Sequence, residues 1–141
     1  MTFEELDKEL PNGFHDAELH DLRIDYVSGS AILRMGLDFG SYDRSNSPDY
    51  RVGELRVSGL YFCSIETPDP NYPYLPDGSP LNVSGDPGKP ETRRALEELS
   101  STLPPGVRCF RLFVNEWNSF INIAARDVQI SWLDEETPAV E

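Results

Sequence analysis

Ala31-Ile32-Leu33-Arg34-Met35-Gly36-Leu37-Asp38-Phe39 is the stretch that decides the class of fold. Ala31, Leu33, Met35, Leu37 and Phe39 take every second position, while Arg34 and Asp38 fall on the opposite parity. A period of two belongs to a strand with one packed face and one wet face. Upstream, Leu22, Ile24 and Tyr26 alternate with Asp21, Arg23 and Asp25, and Val27-Ser28-Gly29-Ser30 supplies a turn. The two runs read as an antiparallel hairpin whose first strand begins near Ala17.

Past a polar loop from Gly40 to Asp49, Arg51 to Ile65 predicts a third strand. Leu55, Val57, Tyr61, Cys63 and Ile65 share one face, Leu60 and Phe62 the other, and Gly53 and Gly59 suggest bulges. Residues 66–90 differ: seven prolines are interleaved with Tyr72, Tyr74, Leu75, Leu81 and Val83. Proline lacks an amide donor and fixes φ, so this stretch reads as a long loop. At the near end, Thr2-Phe3-Glu4-Glu5 has the form of a capping box, opening a short helix with Phe3, Leu6 and Leu10 on its apolar stripe. Pro90 and Glu91 open a second helix carrying Leu96, Leu99 and Leu103, stopped by Pro104-Pro105-Gly106. Val107–Val114, Phe120–Ala125 and Val128–Trp132 alternate again, and residues 133–141 form an acidic tail. The expected fold is a single α+β domain over 1–141: a mostly antiparallel sheet of five to six strands with two helices.

Twenty-five acidic against twelve basic residues give a net charge of −13. That field repels phosphate backbones and anionic lipid surfaces, so neither nucleic acid nor membrane is an expected partner. No apolar run approaches the roughly 20 residues that span a bilayer, and the acidic N-terminus lacks the features of a secretory signal. The expected compartment is cytoplasmic, which makes the Asn82-Val83-Ser84 sequon a chance match. Cys63 and Cys109 form no CxxC and read as buried thiols, able to bridge only if their strands are neighbours.

Both histidines lie within one short segment, Phe14-His15-Asp16-Ala17-Glu18-Leu19-His20-Asp21. Imidazoles beside carboxylates suit Zn²⁺ or Mn²⁺, so a metal-dependent hydrolase on His15, Asp16 and His20 is the alternative function. Geometry opposes it, since His15 and His20 have opposite parity on a strand and are misaligned on a helix. Asp43 to Asp49 imitates a calcium loop, but Pro48 stands where the sharp turn requires glycine. No GxSxG and no glycine-rich phosphate loop is present. Tyr72 and Tyr74, on backbone stiffened by proline, are the best candidate recognition residues, together with Trp117. The plainer role for the loop aromatics is to cover a sheet edge or face. A pocket between sheet and loop would suit a small ligand, a further alternative.

Leu10-Pro11-Asn12-Gly13-Phe14-His15-Asp16-Ala17 and Glu116-Trp117-Asn118-Ser119-Phe120-Ile121-Asn122-Ile123-Ala124-Ala125 carry a resemblance. They are similar to the opening and closing segments of a family of small bacterial proteins of unassigned activity, some of whose relatives resemble immunity proteins encoded beside contact-dependent toxins. The resemblance implies a small α+β domain with no catalytic residues to carry over, and immunity by association. The expected function is a non-enzymatic protein-interaction module with no cofactor. Its acidity would steer a basic protein partner onto exposed members of Tyr72, Tyr74 and Trp117.

Overall fold

The alternating runs do form strands, and those strands close on themselves. The computed structural model describes residues 1–40, 49–72, 74–85, 98 and 101–133. In chain order these contain α1 (Phe3–Glu9), β1 (Ala17–Asp25), β2 (Ser30–Asp38), β3 (Tyr50–Ile65), β4 (Leu81–Gly85), β5 (Arg108–Val114) and β6 (Ser119–Trp132). Every neighbouring pair is antiparallel, and the order β1-β2-β3-β6-β5-β4 forms a closed barrel. The expected α+β sheet with two helices is therefore corrected to a six-stranded barrel in which α1 is the one complete helix among the described residues. The second helix expected from Pro90 lies outside the described residues, apart from helical Glu98 and a turn at 101–103.

The cause of closure lies inside the stretch read as a loop. Leu81-Asn82-Val83-Ser84-Gly85 is free of proline and forms β4, which pairs with β1 on one side and β5 on the other. Proline bars itself from a ladder; it does not bar the residues between two prolines. The closing runs expected as separate strands are one bent strand, β6. Its inward set passes from Ile121, Ile123 and Ala125 to Val128, and β3 bends opposite it at Gly59. Gly59 has φ +61°, and a Cβ there would lie 2.8 Å from the Cβ of Arg126, so this crossing needs glycine. A register shift around Tyr61 then turns that ring outward, 54% exposed, away from the inward face expected for it. Ile65 is likewise half-exposed, because it reaches the open end of the barrel.

Leu33, Met35, Leu37, Leu55, Leu112 and Ile121 fill the interior with no exposed surface. The base is sealed by α1. Thr2 Oγ accepts from the Glu5 N–H at 3.1 Å, and the Glu5 carboxylate accepts from the Thr2 N–H at 2.8 Å, completing the capping box. A helix of seven residues is not stable in water by itself. It is held by Phe3, which stacks on Phe110 at 5.3 Å, and by Leu6, buried in the same core. No helix among the described residues is long and apolar enough to cross a membrane.

Candidate functional site

At the end opposite α1 the barrel seam comes apart. β1 pairs with β4 only at Ala17↔Val83, Glu18↔Asn82 and Leu19↔Leu81. On its other side, the pairing of β1 with β2 skips a residue between Leu19 and Asp21, which makes His20 the extra residue of a bulge. The bulge changes parity, so Leu22 and Ile24 follow Ala17 and Leu19 onto the inward face. Past Leu19, no described strand lies beside β1 on the β4 side. A cleft of about 450 Å³ occupies the opening, with apolar walls from Leu22, Ile24, Ile65, Tyr74, Trp117 and Ile121. His20, Asp21 and Ser79 add polar groups to its lining.

The β5–β6 turn builds the far wall. Trp117 N–H donates to Val114 O at 3.2 Å, and Asn118 takes the left-handed conformation at φ +47°, which Asn tolerates better than most residues. The Glu116 carboxylate accepts from the Asn82 N–H at 2.9 Å, tying this turn to the start of β4. The proline-rich loop is moored to the same turn. Asp69 N–H donates to Trp117 O at 2.8 Å, and Asn118 Nδ2 donates to Asp69 Oδ2 at 2.9 Å. The Asn71 N–H, together with the Asn118 amide, holds the Asp69 carboxyl below the usual carboxylate range. Tyr74 then meets Trp117 edge to face, with ring centroids 6.4 Å apart.

The candidate recognition residues thus divide. Tyr74 and Trp117 are half-buried and wall the cleft, whereas Tyr72 is 51% exposed and Leu75 86% exposed. A second cleft of about 350 Å³ lies on the other side of Tyr74, bordered by Asp77, Ser79, Leu81 and Glu116. Sequence reasoning missed Leu22, Ile24 and Ile65 as site residues, because their arrival at one opening depends on the His20 bulge. The signal was present as a break in alternation: Ala17 and Leu19 have odd numbers, Leu22 and Ile24 even ones.

His15, Asp16 and His20 are not brought together around one cavity. His15 is exposed at the base, with Nε2 3.2 Å from Asp16 Oδ2. His20 borders the mouth, with Nε2 3.8 Å from Glu18 Oε1. Among the described residues, no group of three or more His, Cys, Asp or Glu side chains is placed to hold a metal ion. The segment from Asn12 to Ala17 has structural work instead. Asn12 Nδ2 donates to Asp38 O and Gly40 O at 2.9 and 3.0 Å, and Phe14 N–H donates to Asp7 Oδ1 at 2.8 Å. Phe14 and Ala17 are buried in the core, and Asp16 N–H donates to Ser84 Oγ at 3.1 Å. The calcium-like stretch lies outside the described residues except for Asp49, whose N–H donates to Asp38 Oδ1 at 3.0 Å.

Both thiols are free and buried, and β3 and β5, which carry them, are separated by β6. Burial pushes Cys63 up, and Cys109 up to about 11, which removes thiolate character at neutral pH. The outer face of β3, β6 and β5 carries a polar row that sequence reasoning did not single out. Arg111 donates to Asn122 Oδ1 and Glu66 Oε2, both at 2.9 Å, and its guanidinium lies 3.8 Å from the centroid of the Phe120 ring. Asn122 Nδ2 donates in turn to Ser64 Oγ at 3.2 Å. These charges and amides satisfy one another, so the row braces three strands. No protein-family model matches this chain, and no curated protein and no solved structure matches it either.

Proposed function

We propose that this chain is a non-enzymatic interaction module whose barrel mouth holds a basic protein partner. One observation carries the reading: Tyr74 and Trp117 wall an open, largely apolar cleft, and Tyr72 and Leu75, close to Tyr74 in the chain, are exposed, Leu75 at the second cleft on the other side of Tyr74. Aromatic and apolar anchors next to a cleft are the arrangement that concentrates binding energy at interfaces. A net charge of −13 adds long-range attraction for a basic surface and raises the encounter rate. Immunity toward a basic toxin, the setting implied by the resemblance, would use both features.

The test is retention of basic proteins on the immobilised full chain, compared with the Tyr72→Ala/Leu75→Asp double variant. Both side chains are exposed, so the variant keeps the fold. Retention that falls about tenfold or more in the variant, and falls again from low to high salt, supports the reading. Equal retention by the two chains overturns it. A second reading, a small-ligand binder, is favoured by the way the cleft reaches interior residues such as Leu22 and Ile121. Saturable uptake of a small apolar dye by the wild-type chain, blocked by Leu22→Trp, would support that reading in place of the first.

A further inference from the structure

We infer that the backbone of β1 from Asp21 to Asp25 is the docking edge at this mouth, and that it receives an extended, alternately basic and apolar segment of the partner as an added strand. The inference rests on the interaction reading above and specifies its mode. Among the described residues, β1 is paired in this span on one side only, by β2, from Asp21↔Arg34 to Asp25↔Ser30. In an antiparallel ladder every second residue turns its N–H and C=O away from its partner, so such an edge presents a row of unused donors and acceptors. The loop from Tyr74 to Ser79 lies across the cleft, yet none of its described residues hydrogen-bonds the β1 backbone.

The opposite wall shows what a closed edge looks like here. β3 also runs past its last β2 pair, Ser30↔Ser58. There the Tyr26 hydroxyl accepts from the Cys63 N–H at 3.1 Å and donates to the Cys63 carbonyl, occupying both edge groups. No described side chain does the same for residues 21–25 of β1. An edge left open beside a built apolar cleft is the geometry of strand addition, in which main-chain bonds give affinity and alternate side chains give selectivity.

The parity of β1 states what the added strand must carry. Side chains level with Leu22 and Ile24 enter the cleft toward Ile65, Trp117 and Ile121, so they are apolar. The others stand on the outer face beside Asp21 and Asp25, where Arg23 already pairs with Asp21 at 2.8 Å. On that face Asp21 and Asp25 are matched by Arg23 and by Arg34 opposite Asp21, so the preference for lysine or arginine comes from the −13 of the whole chain. The same charge opposes a second copy of this chain, since each copy carries −13.

The probe is a capped synthetic peptide of about eight residues alternating lysine with valine or leucine, long enough to span the edge at ~3.4 Å per residue. It is titrated into the ¹⁵N-labelled full chain while amide exchange is followed, alongside a scrambled peptide of the same composition and one N-methylated at alternate residues. The expected result is at least about tenfold slower exchange for amides within 21–25, with both control peptides binding about tenfold more weakly. Binding that shifts Tyr72, Leu75 and Trp117 but protects no β1 amide, or that survives N-methylation, overturns the strand-addition mode and leaves the interaction reading standing. A peptide that moves neither region overturns both. A dimer before any peptide is added, with 21–25 already protected, identifies a second copy as the occupant and overturns the basic segment.

Discussion

The base and the mouth of this barrel are built from opposite materials. At the base, Asn12, Gly13, Phe14 and Asp16 each have a defined structural task, in caps, a turn, the core and a link to β4. At the mouth, the ladders end, two aromatic rings wall a cleft, and Tyr72 and Leu75 stand in solvent. The comparison teaches that a concentration of chemically versatile residues is no guide to a site. Of the segment holding both histidines and several acids, the part before Ala17 joins α1 to β1 and His20 and Asp21 only border the mouth, while the walls of the candidate site are mainly tyrosine, tryptophan and aliphatic side chains where strand pairing runs out. Binding surfaces are drawn from the less tightly paired parts of a fold.

The widest gap between the two ends should appear with Phe14→Ala. The ring has no exposed surface and touches Phe3 and Phe110, so truncation should cost about 3–5 kcal/mol and lower the melting midpoint by roughly 10 °C. A midpoint within 2–3 °C of wild type, about what 1 kcal/mol produces, would remove the contrast. Gly13→Ala comes next. Gly13 has φ +56°, and a Cβ there would sit 2.5 Å from Asp7 Oδ1, the oxygen that accepts the Phe14 N–H. A loss of about 1–3 kcal/mol in chemical denaturation is expected.

Cys109, beside the start of α1, is sharpened by pH. Its thiol is raised by burial to about 11, so the neutral form is the one the fold stabilises. Its contribution is complete below the ordinary thiol pKa and is lost as pH rises toward 11; denaturant midpoints taken from pH 8 to 11 should fall, and the slope should flatten in Cys109→Ala. Asp69 has the reverse sign. Its carboxyl is held low by the Asn71 N–H and the Asn118 amide, so its contribution is present above the ordinary carboxylate value and is lost only as pH falls through the depressed one. Asp69→Ala should quicken amide exchange at Tyr72 and Trp117 while moving the melting midpoint less than Gly13→Ala does. Smallest of all, Tyr72→Ala and Leu75→Ala should each change stability by about 0.5 kcal/mol or less, leaving only binding to respond.

Local patterns were enough to read the β1–β2 hairpin, most of β3, the capping box of α1 and the strand within Val107–Val114 that forms β5. Closure was not legible, because an alternating strand looks the same in an open sheet and in a barrel; only the pairing of distant strands distinguishes them. Residues 81–85 were hidden by the prolines around them, although Leu81 and Val83 already alternate with Asn82 and Ser84. The site was half legible. Tyr72, Tyr74 and Trp117 stood out by residue type, but nothing local says that Ile24 and Ile65, forty-one positions apart in the chain, meet at one opening. Their meeting depends on two bulges, at His20 and around Tyr61, and a bulge is a tertiary choice that neighbouring residues only permit.

β4 joins each of its neighbours through only three residue pairs, whereas β2 and β3 share nine. The circumference is therefore a hoop fastened by its shortest stave. Closing it brings residues 17–19 to residues 81–83 across a long intervening chain, an entropic cost that local hairpins escape. The hairpins should consequently assemble first and the hoop fasten last, and pulling on the molecule should release this clasp before it disturbs any other rung.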